Sequence, residues 1–260
     1  MKTRTVSAFA SGAAVGTLGG LIGLGGAEFR LPLLIGLFRF PPLEAVILNK
    51  AISLVVVTSA FFFRSDAIAI GSVVASWSII ANLLAGSLLG AWLGAGIATR
   101  LDPVILRRTI AALLMTIAFV LLLVHGLSGH HDSMLIGMAQ LIGGVLAGVV
   151  IGVIASFLGV AGGELLIPTI ILLFGVDIKL AGSISLAVSL PTMLIGFARY
   201  SRDQNFKVLG YNRSFTATMA GGSIVGALIG GKLVGFVPDA VLLPFLAMIL
   251  IISAVRTWVH

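Results

Sequence analysis

Four ionisable residues stand where a very apolar chain makes them expensive: Glu28, Arg30, Lys50 and Glu164. The first two lie in "LIGLGGAEFRLP" (21–32), which sets three glycines, an acid, a base and a proline inside a hydrophobic stretch. Each residue type offers one piece of anion chemistry. An arginine presents a planar fork that matches an oxyanion. A lysine supplies a compact positive charge. A carboxyl group in a water-filled cavity within a membrane can carry a proton. A glycine-rich turn that opens a helix exposes main-chain N–H groups to an anion. The bland readings compete at every position. Glu28 and Glu164 suit a helix N-terminus as capping charges. Arg30 can snorkel or pair with an acid, and Lys50 can snorkel, pair with Glu28, or face the anion. Asn49/Ser53 and Ser185/Ser189 are polar pairs at i, i+4, placed to line a cavity or to bond across helices.

Other chemistries are poorly represented. With no cysteine in 260 residues, thiol catalysis, disulfides and iron–sulfur ligation are excluded. His130 and His131, with only Asp132 beside them, make a poor metal set. No nucleophile–base signature, phosphate-binding loop or dinucleotide fingerprint occurs. The expectation is a non-enzyme with no cofactor, no metal and no nucleic-acid partner. Its partners are a small anionic substrate and the lipid bilayer, and the sequence leaves the oligomeric state open.

The elements that must position these residues are membrane helices. The chain is 59% hydrophobic and 10% charged, with mean hydropathy +1.19, against about 25% charged in a soluble domain. The formal net charge of +7 then belongs to basic loops that set orientation and touch anionic headgroups. The start imitates a signal peptide, but cleavage is not expected, because the same stretch returns later in the chain.

A shift of 136 positions lays the sequence on itself without a gap from Gly12 to Gly94. Gly12 meets Gly148, Gly26 meets Gly162, Glu28 meets Glu164 and Pro32 meets Pro168; "GSLLGAWLG" from Gly86 meets "GSIVGALIG" from Gly222. Each copy reads as five helical segments: 6–24, 28–38, 42–63, 67–98 and 104–124, then 135–160, 164–174, 178–200, 213–234 and 240–259. The second segment of each copy is too short to span and is expected to be broken or re-entrant. The first repeat covers 1–126, an external linker 127–133, and the second repeat 134–260. Basic residues follow segment four in the first copy (Arg100, Arg107, Arg108) but segment three in the second (Arg199, Arg202, Lys207, Arg213). The positive-inside rule holds for both copies only if they are inverted. Both termini are then cytoplasmic, in a multi-pass protein of the inner (cytoplasmic) cell membrane.

Inverted repeats with interrupted helices point to a secondary transporter, with substrate bound between the breaks near the bilayer midplane. The expected binding set is Gly23, Gly25, Gly26, Ala27, Glu28, Arg30, Asn49, Lys50 and Ser53 in the first copy. Gly159, Ala161, Gly162, Gly163, Glu164, Ser185 and Ser189 complete it in the second, with Glu28 and Glu164 as coupling candidates. A passive anion channel of the same fold and a non-transporting membrane scaffold or assembly factor are the alternatives. Glycines at four-residue spacing, such as Gly12/Gly16 and Gly86/Gly90/Gly94, read as helix-packing faces.

"GTLGGLIGLGGAEFRLPLL" and "GVIASFLGVAGGELLIPTI" resemble the doubled glycine-rich signature of the TauE/SafE (sulfite exporter, TSUP) family, over nearly the whole chain. The resemblance implies an all-α integral membrane transporter of sulfite, organosulfonates or related small anions. The glycine run itself is Gly25–Gly26–Ala27 in one copy and Ala161–Gly162–Gly163 in the other.

Overall fold

The computed structural model describes residues 2–22, 26–64, 70–124, 135–233 and 239–259. Every regular element among them is helical. In chain order they are α1 (Lys2–Ile22), α2 (Ala27–Gly36), α3 (Pro42–Arg64), α4 (Ile70–Ala75), α5 (Trp77–Ala98) and α6 (Pro103–Val124). Then come α7 (Met138–Leu158), α8 (Gly163–Phe174), α9 (Ile178–Tyr200), α10 (Val208–Tyr211), α11 (Arg213–Leu233) and α12 (Asp239–Val259). Six of the described helices are long and apolar enough to cross a membrane. The chain is an all-α, multi-pass membrane protein. Exposed Leu89, Leu93 and Ile97 on α5, with Leu146 and Val150 on α7, form faces suited to lipid.

Local chemistry sets the boundaries. Asp102 accepts from the Val104 amide at 2.8 Å and Pro103 opens α6, a start signal with no lost hydrogen bond. Asp177 does the same for α9 through the Leu180 amide at 3.1 Å. The expected single segment 67–98 is instead two helices, α4 and α5, meeting at Ser76 (φ −89°, ψ 20°). The stretch between α9 and α11, expected as a loop, holds a 3-10 turn (Gln204–Lys207) and α10.

Two close helix pairs build the frame, α1 with α11 and α5 with α7. Small residues make both possible. A side chain at Gly12 or Gly16 would collide with the Met219 and Ser223 carbonyls, and one at Gly226 or Gly230 with those of Ala13 and Thr17. In the other pair, Gly148 and Gly152 face the Leu83 and Ser87 carbonyls, while Gly86 and Gly90 face those of Val145 and Val149. Shifted by 136 positions, the Gly12 and Gly16 contacts fall on those of Gly148 and Gly152, residue for residue. The expected packing faces are therefore helix–helix contacts. α3 runs through the interior, with Ala45, Val46, Ile47, Leu48 and Ile52 wholly buried.

Aromatic contacts tie the basic helix ends together. The Arg4 guanidinium lies 5.2 Å from the Phe40 ring and 5.5 Å from Phe215, joining the start of α1, the turn after α2 and the start of α11. Arg199 and Arg202, at the end of α9, lie 5.5 and 5.0 Å from Trp92 near the end of α5. Arg108, early in α6, lies 5.6 Å from Trp258 near the end of α12. The start of α7 and the end of α8 meet in the same way, through Gln140 Nε2 donating to the Leu173 carbonyl at 2.6 Å.

Candidate functional site

The site is built on two chain breaks. α7 ends at Gly159 (φ 65°, ψ 31°), where the Val160 amide reaches back to the Ala155 carbonyl at 3.0 Å, a left-handed glycine stop. Gly162 (φ 81°) then opens α8, and its counterpart Gly26 (φ 66°) opens α2. Both positions need glycine for the backbone alone. They are also packed against the preceding helix: a side chain at Gly26 would meet Val15 and Gly19, and one at Gly162 would meet Ile151 and Ala155. Those neighbours again correspond at 136 positions. Space for the fold thus constrains these two glycines in addition to their backbone. Gly23 and Gly25 lie outside the described residues, as does the whole of 127–133 with His130 and His131.

The first turns of α2 and α8 bring the acids together. Glu28 and Glu164 are 1% and 4% exposed. Their carboxyl groups lie near enough to act on one another, and none of the four oxygens has a hydrogen-bond partner. Helix geometry leaves the Ala27 and Glu28 amides, and those of Gly163 and Glu164, without an intrahelical acceptor. Pro32 and Pro168 lie inside these helices. Having no N–H, they free the Glu28 and Glu164 carbonyls four residues earlier. Capping alone does not require two unpaired carboxyls to meet in the interior.

Arg30, wholly buried, donates from Nη1 to Asn49 Oδ1 at 3.3 Å and Ser53 Oγ at 3.1 Å. Asn49 Nδ2 donates to the Ala27 carbonyl at 3.0 Å and the Leu158 carbonyl at 2.9 Å. One amide thereby joins the start of α2 to the end of α7, across the two breaks. Snorkelling is ruled out for Arg30 by its burial.

Lys50, also wholly buried, faces elsewhere. One residue is about 100° of helix rotation, so it leaves the Asn49/Ser53 face of α3. Its Nζ donates to the Ala155 carbonyl at 3.3 Å. The charges that act on Glu28 are Glu164 and Arg30. Lys50 neither snorkels nor pairs with Glu28.

The second copy is less polar. Leu166 stands at the position of Arg30 and Leu186 at that of Lys50. Ser185 Oγ bonds the Gly182 carbonyl of its own helix at 2.8 Å, and Ser189 Oγ is buried without a partner. Ala161 and Gly163 are buried at the break. The structure adds residues that the sequence reading missed. Tyr200 Oη donates to the Ser156 carbonyl at 2.9 Å, and Ser156 Oγ to the Ala91 carbonyl at 2.9 Å. Ser87 and Thr192 hydroxyls pair at 2.7 Å. Tyr200 had one available signal, being one of only two tyrosines in the chain.

Residues 8–257 match the family described as sulfite exporter TauE/SafE. The chain belongs to the TauE/SafE family. Membership makes it a membrane transport protein of the sulfite-exporter type. No curated protein and no solved structure matches the chain. In this TauE/SafE chain the paired breaks, the facing acids and the Arg30–Asn49–Ser53 network form one buried polar centre.

Proposed function

We propose that this chain is a secondary transporter of sulfite or an organosulfonate, bound between α2 and α8 near the bilayer midplane. The observation that carries the reading is the meeting of Glu28 and Glu164 at the first turns of two short helices, both buried and without hydrogen bonds. The free amides of those turns and the positive ends of the helices suit an anion. Arg30 adds a full charge, held in place by Asn49 and Ser53. Ser185 and Ser189 stand at the equivalent positions of the second copy, and Ser189 Oγ is available to a ligand. The two carboxyls provide for a proton that travels with the anion.

The assembly reads as two inverted repeats. The symmetric glycine contacts support it. So do the contacts that return α2 to the start of α1 and α8 to the start of α7. Each such unit makes no net crossing, which leaves three crossings per copy (α3, α5 and α6; α9, α11 and α12), an odd number. The basic helix ends then share one side, placed in the cytoplasm of the inner membrane together with both termini.

The test is flux in proteoliposomes with a panel of sulfite, organosulfonates and small carboxylates. Sulfur oxyanions should move and saturate, with a pH-dependent rate in the wild type. Glu28→Gln and Glu164→Gln should insert normally and flatten the pH profile. Absence of any oxyanion flux, or unaltered pH profiles in both variants, defeats the respective part of the reading.

A further inference from the structure

The C-terminal end of α7 gathers main-chain carbonyls and one buried cation. The last turn of any helix leaves carbonyls without amide partners and carries partial negative charge. Here the Gly159 and Val160 amides of the glycine stop reach the Ala155 and Ser156 carbonyls, and three side chains from other helices add to the end's hydrogen bonds. Asn49 takes the Leu158 carbonyl, Tyr200 the Ser156 carbonyl, and Lys50 the Ala155 carbonyl. Room for the ammonium comes from Gly196 on α9, where a Cβ would lie 2.9 Å from both Cε and Nζ of Lys50. The same point is 3.2 Å from Ser156 Oγ. Lys50 Nζ thus donates to a backbone carbonyl at a broken helix end.

Carbonyls at the C-terminal ends of interrupted helices are the ligands by which secondary transporters hold a coupling Na⁺. We infer that the Lys50 ammonium is a built-in substitute for that cation, held at the end of α7, so that the transport cycle binds no alkali ion. The second copy supports a dedicated role. Leu186 replaces Lys50 there and sits in an apolar cluster with Val57, Ala161 and Met193. The corresponding position thus packs without a cation. The inference rests on the transporter reading, but it concerns a cation position distinct from the Glu28/Glu164 centre.

The experiment uses the full chain in nanodiscs and proteoliposomes. Thermal stability without any oxyanion is read in Na⁺, K⁺ and choline media, and sulfite flux is read in the same media. Wild type should show the same stability and flux in all three. Lys50→Ala should lose flux on the order of tenfold, and Na⁺ or methylammonium should restore part of both flux and stability. Lys50→Met, which keeps the bulk without the charge, should lose flux and gain nothing from either ion. Gly196→Ala, which crowds Cε and Nζ of Lys50 from α9, should lower the stability of wild type more than that of Lys50→Ala. Na⁺ stimulation of the wild type, or full flux in a folded Lys50→Met, overturns the inference. If Lys50→Ala does not fold, the wild-type ion series and Lys50→Met decide. The stability arm needs no oxyanion, so it stands even if no sulfite flux is found.

Discussion

At the residue scale, the polar centre is asymmetric in what its groups do. Asn49 is the hinge pin: one side chain satisfies two carbonyls on different halves and accepts from Arg30. Its loss leaves the Leu158 carbonyl without this donor, removes one of two donors to the Ala27 carbonyl and leaves Arg30 Nη1 with Ser53 alone. An unsatisfied buried group costs about 1–3 kcal/mol. Asn49→Leu, similar in volume, should therefore destabilise by about 1–3 kcal/mol, with a clear drop in thermal midpoint. Ser185→Ala occupies the equivalent position but removes only a bond to its own helix. It should change stability by less than about 0.5 kcal/mol. Equal effects of the two substitutions in the same thermal assay would remove the distinction between the copies.

At the element scale, close helix pairing is what makes the breaks possible. α1 and α11 approach so closely that carbonyls of one fill the space above glycines of the other, and α5 and α7 do the same. Without a hydrophobic drive between helices in lipid, such small-residue faces carry the association. Gly16→Leu and Gly90→Leu should each force the pair apart, with loss of folded protein after detergent extraction. Gly221→Leu, on α11 but with nothing within 4 Å, should be tolerated. A Gly90→Leu protein with wild-type yield and thermal midpoint would show that the pair is not the frame. The tight approach also explains Gly26 and Gly162, whose turns are wedged against the preceding helix.

At the scale of the whole molecule, the four basic clusters around Arg4, Arg108, Arg199 and Arg213 lie at helix ends that face contacts place together. The chain has no cysteine, so single cysteines report sidedness cleanly. Ile136→Cys precedes α7, and Ser201→Cys follows α9; both positions are exposed. An impermeant thiol reagent should label Ile136→Cys from the outside of intact cells and Ser201→Cys only after the membrane is opened. Labelling of both from one side would end the proposed inverted arrangement.

The sequence alone determined the membrane class and most of the helices, and it carries the internal match at 136 positions. Apolar runs of spanning length decide for membrane helices whatever their neighbours. A proline and a glutamate recurring at one offset point to a repeat without any contact being known. The turns at Gly159, Gly162 and Gly26 were legible because only glycine adopts their backbone cheaply. Partnership was not legible. Asn49 and Lys50 are neighbours in sequence, yet helix rotation sends one to Arg30 and the other to the Ala155 carbonyl. Glu28 and Glu164 were assigned to one binding set from the sequence, but their direct approach was not legible, because it depends on how two short helices distant in sequence are placed. Tyr200 and Ser156 stayed silent for the same reason: a hydroxyl in an apolar helix acquires meaning only from the carbonyl placed opposite it. Tertiary structure decided those pairings, since a buried polar group takes its role from the partner that packing brings within hydrogen-bond reach.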